Sequence, residues 1–444
     1  MEDKDLNNTE GQQTPAENSE RESFPTADIS GAHEVSAERI DGEKKEDLTL
    51  AEIRDGAAEA NMTANAASPE ELERQRKNKK IKKIILNIFL VASIALGIGS
   101  MFLIVKDLPS NKSAAEVFSD IDPLFAVLFV VLIIVIMAAD TAKYAIINKT
   151  VLGKCRPREA FKTNYLGKYY DAVTPFGTGG QPMQIYYLTS KGISGGNATA
   201  IPMIKYYSSV VVWIIIGAGL MIAGTVTGVF DLVPQSGASE AGVKLLKVTG
   251  WVGIGINLII PLFVTLFLLL PKVMHKLTAG VVHIGKKMKI VKDEEKTCAK
   301  ALKVVDDFKV SFKTMATTPL NLIALILVTV IEVTGVFAVP FFVMKAFSCE
   351  VDALLLPVLA LNAFATFGAS FIPTPGNSGA LESIGAVAFS LVAGGAVAWS
   401  VLIWRFGTYY VYIIIGIIMT FRDIIKKNLR KRKRQRMQST VKRD

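Results

Sequence analysis

The chain has 444 residues, half of them hydrophobic, with a mean hydropathy of +0.37 and a formal net charge of +10 at pH 7. Apolar residues in this proportion, gathered into long runs, exclude an ordinary soluble domain and predict an all-α polytopic membrane protein. Three scattered cysteines (Cys155, Cys298, Cys349) and three scattered histidines (His33, His275, His283) form neither a disulfide framework nor a metal-ligand cluster, so no metal, cofactor or catalytic residue is expected.

Residues 1–70 carry 18 acidic and 6 basic side chains and few apolar ones. Such a segment cannot bury a core, and 1–80 is predicted to be a disordered acidic cytoplasmic tail with a basic juxtamembrane end. No short apolar stretch near Met1 suggests a signal peptide. Six runs within 81–425 are long enough to cross a hydrocarbon layer of roughly 30 Å, which takes about 20 residues. They are Lys83–Val105, Pro123–Ile147, Ala198–Thr225, Val243–Leu270, Pro319–Val343 and Ala396–Phe421.

Charge in the connecting loops predicts orientation, because Lys and Arg collect on the cytoplasmic side. Basic residues from Arg74 to Lys83 place the start of the first span inside, and Lys149, Lys154, Arg156, Arg158 and Lys162 place the end of the second inside. The 271–318 loop, with eleven Lys against five acids, is also inside, whereas Val226–Gly242 has no Lys or Arg and lies outside. Apolar residues at near-helical spacing in Lys286–Lys313 predict an interfacial amphipathic helix, and a separate cytoplasmic synthase is a candidate partner for this loop. Residues 422–444 hold 11 bases and 2 acids, and the 426–444 tail reads as a cytoplasmic anchor to anionic lipid with no nucleic-acid role. Both termini are thus expected in the cytoplasm.

Two turns break the apolar pattern: Pro175-Phe176-Gly177-Thr178-Gly179-Gly180 and Pro373-Thr374-Pro375-Gly376-Asn377-Ser378-Gly379. Each follows an asparagine, Asn164 or Asn362, by eleven residues, so the pattern repeats at an offset of 198. The loop charges require the segments around both turns to begin and end on one side. They predict two re-entrant helical hairpins, Arg158–Thr174 with Gln181–Ser190 from the cytoplasm and Ala353–Ile372 with Ala380–Val392 from outside. Broken helices at matching places in inverted repeats point to a transporter's binding site.

The second turn, continuing as Ala380-Leu381-Glu382 with Arg405 and Tyr409-Tyr410 beyond, resembles the Pro-x-Pro-Gly-Gly-x-Gly-x-x-Glu … Arg … Tyr signature of the flippase-like membrane domain family. That family includes the membrane half of the lysylphosphatidylglycerol synthase/flippase proteins. Asn164, the Pro175–Gly180 turn, Tyr186-Tyr187-Leu188 and Gly192-Ile193-Ser194 look like its first-half partner. Asn377 stands where a second glycine is usual, and Gln184 stands near a position often held by arginine. About 23 residues follow the last predicted span, too few for an aminoacyl-transfer domain. The resemblance therefore implies the lipid-moving half of the activity: movement of aminoacylated phosphatidylglycerol or a related membrane phospholipid, with resistance to cationic antimicrobial peptides as the result. Alternatives are phosphatidylglycerol lysyltransferase by family label, a small-solute transporter, and a membrane scaffold for a separate synthase.

Ionisable groups within spans are costly and mark sites. Asp140, Lys143, Lys205, Glu332, Glu382 and Arg405 qualify, with Lys168 and Asp171 on the first hairpin. Glu382 is expected to pair with Arg405, whose planar fork also suits a lipid phosphate. Lys205 is expected to mirror Arg405, while Asp140 and Glu332 are candidates for a headgroup amine or a coupling proton. Gly177, Gly179, Gly180, Gly376 and Gly379, with Pro175, Pro373 and Pro375, shape turns whose N–H groups can approach a phosphate closely.

Overall fold

A computed structural model describes residues 113–232, 239–288, 293–349 and 354–422, with isolated positions 91, 95, 99, 425 and 429. The first predicted span and both predicted tails lie outside the described residues, those isolated positions apart. The described residues are α-helical, with no strand among them beyond one isolated bridge.

A short helix, α1 (Ala114–Ser119), leads into α2 (Pro123–Leu152). Asp122 starts α2 by accepting the Leu124 and Phe125 N–H groups at 2.9 and 3.3 Å, with Pro123 in the first turn, where its missing N–H costs nothing. The first hairpin is α3 (Pro157–Ala172) and α4 (Gly180–Ser190), followed by α5 (Gly195–Val226), α6 (Glu240–Leu269), α7 (Pro271–Lys287) and α8 (Glu294–Ala316). Then come α9 (Pro319–Ala346) and the second hairpin, α10 (Leu355–Ala369) with α11 (Ala380–Phe389). The last helix, α12 (Val397–Arg405), passes through a π-helical turn at Phe406–Tyr410 and continues to Arg422. Five of the described helices are long and apolar enough to cross a membrane: α2, α5, α6, α9 and Gly394–Arg422, at 28 to 32 residues each. These match the last five predicted spans to within a few residues.

The two halves interlock. α2 and α9, the spans preceding the hairpins, pack together, with Gly335 of α9 admitting Ile136 and Leu132. Each hairpin's first arm is tied to its own preceding span by the repeated asparagine. Asn164 donates to Thr141 Oγ1 at 3.4 Å, and Asn362 donates to the Val336 and Phe337 carbonyls at 3.3 and 3.1 Å. Each first arm also presses an aromatic ring into a glycine of the other half. Tyr169 of α3 fills the space beside Gly416 in the last span, and Phe367 of α10 fills that beside Gly217 in α5. α10 is wedged further against α6, where Gly253 faces the Phe367 backbone and Gly250 faces the Phe364 ring.

One predicted element differs. The stretch Lys286–Lys313 is not a single amphipathic helix; it divides between α7 and α8. Asp293 begins α8 by accepting the Lys296 N–H at 3.0 Å, and Lys286 and Lys287 end α7, where cations suit the helix dipole. α8 is no free surface helix either. Phe308, Phe312 and Met315 are buried in a core shared with Tyr207 and Leu322, and Ser311 donates to Asn197 of α5 at 2.9 Å.

The α6–α10 contact gives a paired test. A side chain at Gly253 must displace backbone, whereas Gly255, two residues on, has nothing within 4 Å. Gly253→Val is expected to cost about 1–3 kcal/mol or more, lowering the unfolding temperature of purified protein, while Gly255→Val leaves it unchanged. Equal behaviour of the two variants in a thermal melt contradicts the packing.

Candidate functional site

Both hairpin tips are the same turn. The Thr178 N–H donates to the Pro175 carbonyl at 3.3 Å, closing a turn with Phe176 and Gly177 at φ 56° and 61°. The Ser378 N–H donates to the Pro375 carbonyl at 3.0 Å, with Gly376 and Asn377 both at φ 56°. Two consecutive positive-φ residues define the type I′ geometry that glycine and asparagine favour. Phe176 takes this conformation with neither advantage, a local strain of order 1–3 kcal/mol. Pro175 and Pro375 then meet in an antiparallel backbone bridge, tip against tip.

The bridge resets the repeat. Sequence spacing aligns Pro175 with Pro373, but the matching turns pair Pro175 with Pro375, an offset of 200. In that register Gly179 matches Gly379 as the residue opening each second arm, and Lys205 matches Arg405. A carboxylate caps each second arm. Glu382 accepts the Gly379 N–H at 2.7 Å, and Asp171, reaching across from α3, accepts the Gly180 N–H at 2.7 Å.

Glu382 and Arg405 are paired, with Arg405 Nε donating to Glu382 Oε1 at 2.8 Å and both side chains almost wholly buried. Arg405 Nη2 also reaches the Gly376 carbonyl at 3.3 Å, and its guanidinium lies 4.3 Å from the centre of the Tyr409 ring. Tyr409 in turn donates its hydroxyl to the Ala172 carbonyl at 2.9 Å, crossing from the last span to the first hairpin. Gly376 must be small here, because a Cβ would collide with Tyr409. One arginine thus braces the second tip, and one tyrosine joins it to the first hairpin.

Lys205 does not repeat this arrangement. It joins a buried network in which Asp140 Oδ1 lies 2.9 Å from both Lys143 and Lys205, and Asp140 Oδ2 lies 3.3 Å from Lys168. Lys143 also contacts Glu332 at 2.9 Å and donates to Ser209 at 2.9 Å. Three cations share two carboxylates across α2, α3, α5 and α9. Asp140 is central, fully buried and ringed by ammonium groups. Glu332 stands on its far side, against Lys143.

A cleft of about 200 Å³ opens where the tips meet. Lys168, Asp171, Phe176 and Gly177 line it from the first hairpin, Gly376 and Asn377 from the second, and Thr408, Tyr409 and Tyr412 from the last span. Lys168 is the least buried ion-paired member of the network, its side chain 30% exposed, and it lies 5.1 Å from the centre of the Tyr412 ring. Among the predicted site residues, Asp171, Gly177 and Gly376 line the cleft, and Pro175 and Pro375 bridge beside it. Asn164 and Asn362 sit on the first hairpin arms, α3 and α10, away from the cleft lining and bonded to the preceding spans, and Asp140, Glu332 and Lys205 lie within the network. Tyr412 and Thr408 have no signal in the sequence beyond being ordinary members of an apolar run, and Phe176 none beyond its place in the first turn.

The family described as lysylphosphatidylglycerol synthase TM region matches residues 90–416. The chain belongs to that family and is a multi-pass membrane protein. Comparison with curated proteins and with solved structures gave no match.

Breaking a buried ion pair strands a charge and typically costs about 3–5 kcal/mol, whereas replacing both partners by apolar groups is often close to neutral. Glu382→Ala is therefore expected to lower the melting temperature sharply, and Glu382→Leu combined with Arg405→Met to recover most of the loss. Should the double variant melt no higher than the single one, the pair is not what holds the second tip.

Proposed function

We propose that this protein moves the polar headgroup of a phospholipid across the cytoplasmic (inner) membrane, past the two hairpin tips, while the acyl chains stay in the bilayer. The observation that carries this reading is the cleft at the bridged tips, lined by a cation, a carboxylate and paired turns inside an otherwise apolar helical body. In this reading the hairpins enter from opposite faces of the membrane with both termini cytoplasmic, and the tips meet near the midplane, as in inverted-repeat transporters. Lys168 receives the headgroup phosphate beside the Gly177 and Gly376 turns, and Asp171 receives a headgroup amine. Arg405 holds the second tip in place and can exchange Glu382 for phosphate as the tip moves. Family membership favours aminoacylated phosphatidylglycerol as the lipid. Its delivery to the outer leaflet reduces surface negative charge and weakens the binding of cationic antimicrobial peptides.

Protein reconstituted in liposomes with labelled aminoacylated phosphatidylglycerol is expected to bring the label into reach of an external reagent. Lys168→Gln and Arg405→Ala should each slow this by about tenfold or more, equivalent to ~1.4 kcal/mol of barrier. Absence of movement for every anionic or aminoacylated lipid tried would falsify the proposal.

The bridge provides a second test. Directly opposed residues of an antiparallel pair have Cα atoms about 4.5–5.5 Å apart, within disulfide reach. With Cys155, Cys298 and Cys349 replaced by serine, a Pro175→Cys/Pro375→Cys variant is expected to crosslink under oxidation, to stop lipid movement, and to regain it on reduction. Full transport by the crosslinked protein excludes passage that requires the tips to part.

A further inference from the structure

The α7 helix carries a surface that neither the cleft nor the core uses. α6 ends at Leu269, the backbone bends at Leu270, and Pro271 starts α7 at once, so the helix leaves the membrane-crossing segment where that segment stops. Val273, Leu277, Val281, Ile284 and Met288 fall on one face at spacings of three and four residues, and all are exposed, from 46% to 68%. Met274 and Val282 are buried, and α8 takes up the polar groups on that side. His275 lies 2.9 Å from Asp306, and Glu294 lies 2.9 Å from His283 and 2.8 Å from Lys286. Hydrogen bonds from Lys286 and His283 hold the Glu294 carboxyl below its ordinary range.

Charge on the helix is one-sided. No acidic residue occurs from Pro271 to Lys292. At 100° per residue Lys272, Lys276 and Lys287 fall along one edge of the apolar stripe; they are exposed, and no carboxylate pairs with them among the described residues. An apolar stripe edged by unpaired lysines is the pattern of a helix that lies in the headgroup layer, its apolar face sunk into the acyl boundary and its lysines among anionic headgroups. A surface for a soluble acidic partner would not need five large apolar side chains at the end of a membrane-crossing helix. We propose that the outer face of α7 docks on the anionic headgroup layer of the membrane that holds the protein.

To test this, the full chain with its three cysteines changed to serine receives Val281→Cys and an environment-sensitive fluorophore. It is reconstituted in phosphatidylcholine vesicles with and without phosphatidylglycerol. With phosphatidylglycerol the emission is expected to shift to the blue, quenching by acyl-brominated lipid to appear, and quenching by aqueous iodide to fall several-fold. Changing Lys272, Lys276 and Lys287 together to glutamine should remove most of the phosphatidylglycerol dependence without changing the melting temperature. A label that iodide reaches equally in both vesicles overturns the proposal. So does protection indifferent to phosphatidylglycerol and to the three glutamines, or protection that appears only on adding soluble cell extract.

Discussion

Broken helices inside an apolar body leave peptide groups that lipid cannot satisfy, and each unpaired group costs several kcal/mol. Here the two breaks are closed from within and by side chains, at the place where the tips meet. The Pro175 and Pro375 turns bridge backbone to backbone, and their primed geometry closes each turn internally. Asp171 and Glu382 absorb the glycine N–H groups that open the second arms. The carboxylates then require cations, or they too would be stranded. For Glu382 that requirement is met by Arg405 behind the second tip, while Asp171 shares the cleft wall with Lys168, whose own ion-pair partner is Asp140.

The two halves meet the requirement differently. The second uses a single arginine that engages Glu382 and the Gly376 carbonyl together, geometry that a planar fork provides and an ammonium does not. In the first half the corresponding residue is Lys205, a point charge, and it turns to Asp140 on a neighbouring span. Pseudo-symmetry therefore holds for the turns and fails for the electrostatics. The second tip is fastened to the last span by one compact pair, and the first hairpin to three spans by a spread network. The cleft lies where these two kinds of fastening meet, with Lys168 belonging both to the network and to the cleft wall.

Much of this was legible in the sequence because apolar runs and helix breakers are local signals. The last five predicted spans, both hairpin arms and the Glu382–Arg405 pair follow from run length, from Pro and Gly, and from a recognisable signature. Register was harder. Equal Asn-to-Pro spacing suggests Pro373 as the partner of Pro175, but the turn forms where two left-handed residues can follow a proline. In the second half only Gly376-Asn377 after Pro375 does so. Partners across the fold left no trace in the sequence either. That Lys205, Lys168 and Lys143 converge on Asp140, or that Tyr409 reaches Ala172, depends on how α2, α3, α5 and α12 pack. The α7–α8 break was missed because its helical spacing continues across the capping Asp293.

The exchange of aromatic rings between the halves has a consequence for how the chain is made. When Phe367 emerges from the ribosome, Gly217 and Gly253, which seat it, have long since been synthesised. Tyr169 has the opposite fate, since its seat at Gly416 is encoded 247 residues later. At roughly 5–20 residues per second, the first hairpin waits tens of seconds, its tip without a bridge and its arm without a groove. Assembly of the first half is thus completed by a segment translated long after it, and a chain that stops before residue 416 lacks the piece that locks in what was built first.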